Sequence, residues 1–166
     1  FMAGDTGSVV NQAILTKSDP LGDVLFGVDN TFLTRALDAG IFEPYESPAL
    51  SDVPTDYQLD DEHRVTPVDL GDVCVNWDKN VFGQQDFPPP TILEVLAEPV
   101  FASKLVVENP ATSSPGLAFM LATIEEFGED GWLDFWSELR DNGVEVVDGW
   151  EEAYYGSFSA ASEDGE

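Results

Sequence analysis

Lys104-Leu105-Val106-Val107-Glu108-Asn109-Pro110-Ala111-Thr112-Ser113-Ser114-Pro115-Gly116 is the stretch on which the fold class turns. Residues 104–107 read as a strand, and the residues from Asn109 to Ser114 carry turn chemistry. Pro115 suits a first helical position, with Ser114 as its N-cap. Leu117, Met120, Leu121 and Ile124 then fall at i, i+3, i+4 and i+7, the spacing of one helix face. Trp132, Phe135, Trp136 and Leu139 repeat that spacing in a second helix, expected to begin near Asp130 and to stop before Gly143. Residues 144–147 read as another strand, and Asp148-Gly149-Trp150 turns into a helix from Glu151. Strands separated by helices in this order make an α/β chain.

The same order occurs upstream. Gly4-Asp5-Thr6-Gly7-Ser8 has cap chemistry ahead of a helix bearing Val9, Val10, Ala13 and Ile14, which Asp19-Pro20 and Gly22 end. Residues 23–28 are a short apolar run expected to be a buried strand. It closes at Asp29-Asn30, and Leu33, Ala36 and Leu37 mark a helix stopped by Gly40. Open α/β sheets bind ligands at the carboxyl ends of their strands, which makes Asp29 and Asn30 candidate contacts. Residues 43–64 read mostly as loop. A strand is expected over 72–77, a linker or sharp turn at Pro88-Pro89-Pro90, and a short helix from Thr91 through Leu96. No internal repeat is visible.

Composition narrows the functional classes. Hydrophobic residues make up 43% of the 166, enough for a packed core, so the high charge does not signal disorder. Asp and Glu number 33 against six Lys and Arg, a net charge of -27. Such a surface repels itself in dilute buffer and is screened in concentrated salt, so the composition reads as halophilic. A basic partner such as a polyamine or cationic protein is the alternative, but the acids are spread along the chain. Six cations cannot track a phosphate backbone, which argues against nucleic acid. No apolar stretch approaches the roughly 18 residues of a membrane span. The single cysteine, Cys74, excludes an internal disulfide and is expected to be a buried strand residue. The single histidine, His63, lies in the polar run Leu59-Asp60-Asp61-Glu62-His63-Arg64 and reads as solvated loop rather than metal ligand.

Two strand-to-helix junctions carry the chemistry of binding. At Thr112-Ser113-Ser114-Pro115-Gly116, three hydroxyls and backbone N–H groups meet at a helix start, where anions and polar oxygens are favoured. One Ser suffices for a cap, so three hydroxyls in a row leave two unassigned. At Gly149-Trp150, a large aromatic follows a glycine, with Tyr154 and Tyr155 one turn later. Such a ring stacks on a flat ligand or a cationic one, or plugs the end of the sheet. Catalytic constellations are missing: there is no Gly-x-Ser-x-Gly elbow, no phosphate-binding glycine loop, and His63 has no suitable partner. The sequence reads as a binding protein, not an enzyme.

Four blocks, in order along nearly the whole chain, resemble those of the thiamine-binding receptors of ABC importers. They are Gly22-Asp23-Val24-Leu25-Phe26-Gly27-Val28-Asp29-Asn30-Thr31-Phe32-Leu33, Val68-Asp69-Leu70-Gly71-Asp72-Val73-Cys74-Val75-Asn76-Trp77-Asp78-Lys79, Asn109 through Leu117, and Gly149-Trp150-Glu151-Glu152-Ala153-Tyr154. The chain departs from the family pattern at Leu70, where the family has a tyrosine, and at Ala111, where it has an arginine. Asp72 stands where some relatives have another aromatic.

The resemblance implies an α/β, two-lobed periplasmic-binding-protein fold of type 2. Residues 1–75 would be part of the first lobe with its crossover strand, and 76–166 part of the second. Family members begin before Phe1 and run past Glu166, so it also implies a fragment without the N- and C-terminal parts of the full receptor. The chain would capture thiamine or thiamine phosphates in an interlobe cleft and deliver them to the membrane permease of an ABC importer. Carried over by position, Asp29, Asn30 and Asp72 would line the first lobe's side. Thr112, Ser113, Ser114 and Gly116 would supply hydroxyl and N–H contacts from the second, with Trp150 and Tyr154 as the aromatic surface. It implies no cofactor, since thiamine is the transported ligand, and an extracytoplasmic, membrane-anchored location. Unpaired sheet edges would allow self-association. The alternatives are a receptor for ferric ion or a polyamine, and an acidic cell-surface interaction domain.

Overall fold

A parallel strand pair needs a crossover between its strands, and the second half of the chain supplies one. The computed structural model describes residues 2–82 and 88–158, so the outer ends of both expected lobes, Phe1 and 159–166, lie outside the described residues. The chain divides into two compact units, Phe1–Asp72 and Val73–Glu166.

In the first unit, α1 (Thr6–Leu15) and α2 (Leu33–Asp38) bury Val10, Leu33 and Ala36. Thr6 Oγ1 donates to the Gly27 carbonyl at 2.9 Å, and Lys17 Nζ to the Ala39 carbonyl at 2.8 Å. The loop read over 43–64 contains two 3-10 turns, Pro48–Asp52 and Thr55–Tyr57. His63 lies half-buried in the loop, at the turn that follows Asp60, with φ 56. Arg64 closes that turn by donating from Nε to Asp60 Oδ2 at 3.0 Å and from Nη2 to Oδ1 at 2.6 Å. These bonds hold the enclosed Asp60 carboxyl down at about 2, below its ordinary 3.8.

In the second unit, β1 (Val106–Glu108) and β2 (Glu145–Val147) pair in parallel, with Val106 opposite Glu145 and Glu108 opposite Val147. The crossover is α3 (Ser114–Asp141), broken at Gly128 by non-helical φ 71 and ψ 175. The break is a reversal. Trp136 Nε1 donates to Thr123 Oγ1 at 2.9 Å, although thirteen residues of straight helix would span about 20 Å. Phe127 and Phe135 stack across the bend at 4.3 Å. The second apolar stripe supplies the core, where Phe135 and Leu139 pack with Leu96 against Leu93, Leu105, Phe119, Trp136 and Val144. The first stripe is only partly covered, and Leu121 is exposed.

Several expectations are corrected. Residues 23–28 and 72–77 are not strands, because an apolar run becomes a strand only beside a hydrogen-bonding partner, and the described residues contain one sheet, β1–β2. Val24 and Phe26 are accordingly 87% and 74% exposed rather than buried. Cys74, on the second of these runs, is exposed as well. The α3 cap is Ser113, one residue before the expected Ser114, and Pro115 falls within the first turn, where its missing N–H costs nothing. The short element after Thr91 is a 3-10 turn at Glu94–Ala97, and the one after Trp150 is a π-helix, Glu152–Ser157.

Candidate functional site

Parallel pairing places the carboxyl ends of β1 and β2 side by side, so the two junctions singled out in the sequence meet at one sheet edge. Three hydrogen bonds lace them together. Asn109 N donates to the Val147 carbonyl at 2.8 Å, Asn109 Nδ2 to Asp148 Oδ1 at 3.4 Å, and Thr112 Oγ1 to the Asp148 carbonyl at 2.6 Å. Glu152 turns back to accept from Asp148 N at 3.1 Å, which fixes the start of the π-helix.

Each hydroxyl in the first junction has a distinct position. Thr112 is committed to the bond between the turns. Ser113 is fully buried, accepts from Gly116 N at 3.3 Å, and donates its own proton to Glu108 Oε2. Ser114 Oγ is buried without a hydrogen-bond partner among the described residues, which costs about 1–3 kcal/mol unless something else fills its valence. The glycine serves packing: a Cβ on Gly116 would lie 2.3 Å from the Glu108 carbonyl oxygen. The backbone N–H groups of the first turn are largely consumed, since Ser113 N donates to the Asn109 carbonyl and Leu117 N to the Ser113 carbonyl. Among the described residues, what this helix start still offers is the Ser114 hydroxyl and the Ser114 backbone N–H.

The second junction presents rings. Trp150 and Tyr154 stack face to face, with centroids 5.1 Å apart and planes 8° apart. Tyr155 stands edge-on to both, and Phe158 tilts against Tyr154 at 5.5 Å. Trp150 nevertheless remains 44% exposed, so the aromatic pair has a surface to offer. Three carboxylates belong to the same edge: Glu108, Asp148 and Glu152. Electron-rich rings among carboxylates suit a cation.

The candidates of the first unit are held differently. Asp29 Oδ1 accepts from Thr31 N, Thr31 Oγ1 and Phe32 N, the last at 3.3 Å, and so shapes the turn into α2. Asn30 and Asp72 are exposed. Sequence reasoning missed Glu108, Asn109 and Asp148 as members of the edge. Asn109 and Asp148 are ordinary turn formers, and on a chain with 33 acids a strand-ending Glu carries no signal. Among the described residues no group of three or more His, Cys, Asp and Glu side chains could hold a metal. Two shallow concavities of the second unit, around Ile92 and Leu93 and around Phe127 and Phe135, include none of the junction residues.

Comparison with known proteins assigns the chain to a family. The family described as bacterial extracellular solute-binding protein matches residues 19–163. The thiamine-binding periplasmic protein of Escherichia coli K12 is 30% identical over 153 residues, which cover 90% of this chain and 44% of that protein. The protein of the same name from Brucella abortus is 29% identical over 157 residues, 93% of this chain and 44% of its own length. A solved periplasmic thiamin binding protein superposes with a TM-score of 0.65 at 25% identity, over 92% of this chain and 46% of that one. The fold is thus the α/β periplasmic-binding-protein fold of type 2, and the chain spans about half the length of the relatives it matches.

Proposed function

The chain belongs to the bacterial extracellular solute-binding protein family, and on that premise we propose that it captures thiamine or thiamine phosphates outside the cytoplasm for an ABC importer. One observation carries the ligand assignment. The hydroxyl turn at Thr112–Ser114 and the Trp150–Tyr154 stack, chosen separately from the sequence, are laced together at the carboxyl edge of one parallel sheet.

Thiamine joins a positive thiazolium ring to a neutral aminopyrimidine. The exposed aromatic pair gives the cation a ring face, and Glu108, Asp148 and Glu152 add negative potential. The Ser114 hydroxyl, buried and unpartnered, has hydrogen-bonding capacity for a polar group of the ligand. In the first unit, Asp29, Asn30 and Asp72 are the proposed contacts. Residues 1–75 and 76–166 are proposed as parts of the first and second lobes, with a membrane anchor holding the receptor near its permease. The work is binding, with no cofactor and no catalysis.

Titrating thiamine in molar potassium chloride while following Trp fluorescence tests this. Saturable quenching in the native chain, weakened about tenfold or more in Trp150→Phe, is the expected result. A ferric salt is the parallel control. A visible charge-transfer colour with iron and no response to thiamine would replace this reading with a tyrosinate iron receptor.

A further inference from the structure

The edge is unusual for a helix start, because most of its anion-attracting elements are already engaged and a carboxylate stands beside the cap. Helix N-termini draw phosphate through free N–H groups and the positive end of the dipole. Here Gly116 N is capped by Ser113 Oγ, Leu117 N is bonded to the Ser113 carbonyl, and Pro115 has no N–H. The Ser113 proton is donated to Glu108 Oε2, so Ser113 gives a phosphate nothing to accept from. Glu108 also sets a full negative charge beside the cap, held there by β1. Asp148, linked to Asn109, and Glu152, linked to Asp148, add two more. Position 111, in the same turn, is an uncharged Ala. Among the described residues, the groups left at this helix start are the Ser114 N–H and the buried Ser114 Oγ, which together match a neutral polar group that can both accept and donate.

We propose that Glu108 is a specificity-determining residue that makes this edge take a cation with a neutral hydroxyl tail and reject its phosphorylated form. The inference rests on the receptor reading above and narrows its ligand to unphosphorylated thiamine. A phosphate monoester brings about 1.5–2 negative charges at neutral pH, directly against the carboxylate that holds Ser113. Glu108 is half-buried, so molar salt screens this repulsion far less than repulsion between exposed charges.

The experiment compares thiamine with thiamine monophosphate by isothermal titration at constant molar salt, in the native chain and in Glu108→Gln. Gln keeps the length and an acceptor for the Ser113 hydroxyl while removing the charge. The native chain should prefer thiamine by about tenfold or more, and Glu108→Gln should narrow that ratio by a similar factor. Inorganic phosphate provides a readout independent of the vitamin: it should raise the Tm of Glu108→Gln and leave that of the native chain unchanged. Equal affinity of the native chain for both vitamin forms, or an unchanged ratio in the variant, overturns the proposal. If neither form binds, the receptor reading fails, and the phosphate arm still decides: equal stabilisation of both proteins overturns the role of Glu108.

Discussion

Gly116 shows how a residue can look like a ligand contact and serve the fold. From sequence, a glycine at a helix start promises room for a ligand, but its bare Cα faces the backbone of Glu108 instead. Gly116→Ala should therefore cost about 1–3 kcal/mol or more in urea unfolding, because neither β1 nor α3 can retreat without unlacing the edge. Asp60 makes a separate prediction. Its carboxyl is lowered to about 2 by hydrogen bonds from Arg64, so it titrates below its unfolded counterpart, ordinarily at 3.8. The stability it contributes is complete above the unfolded value and is lost as pH falls through about 2. Urea midpoints of the native chain and Asp60→Asn, compared at fixed salt, should differ by a constant amount above about pH 5 and converge in acid. A gap that does not change with pH would show that the Arg64 pairing has no energetic role.

Among the elements, the legible ones were those whose partners lie within the same compact unit. Val106 and Val107 find Glu145 and Val146 through a single helical crossover, and the stripe Phe135–Leu139 buries itself against Leu96. The apolar runs at 23–28 and 72–77 read equally well as strands, yet nothing in a run's own residues names the strand that must pair with it. The site divides in the same way. The hydroxyls and rings announced themselves by type, while Glu108 was hidden by its abundance and Ser114 became informative only once its burial was known. The reversal at Gly128 was legible as two stripes, but its sharpness depends on the bond from Trp136 to Thr123. Trp136→Phe keeps the ring and removes that bond, so it should cost about 1 kcal/mol and shift the thermal midpoint without changing helix content by circular dichroism.

Across the chain, a net charge of -27 sets the conditions under which the rest operates. Self-repulsion acts over about 10 Å in 0.1 M salt and only about 3 Å in 1 M, so Tm should climb steeply between these concentrations of potassium chloride. Equal stability at both salts would refute the proposed salt adaptation. The same acidic field favours a cationic ligand, which links composition to the edge where Trp150 lies. The chain contains four Trp, and the Trp136 indole N–H, fixed on Thr123, serves as an internal reference. The most direct test is therefore an NMR titration that follows the four indole N–H signals as thiamine is added in molar salt. The signal of Trp150 should shift saturably while that of Trp136 stays in place. A Trp150 signal unmoved at saturating thiamine, or four signals drifting alike, would contradict a thiamine site at the carboxyl edge of this sheet.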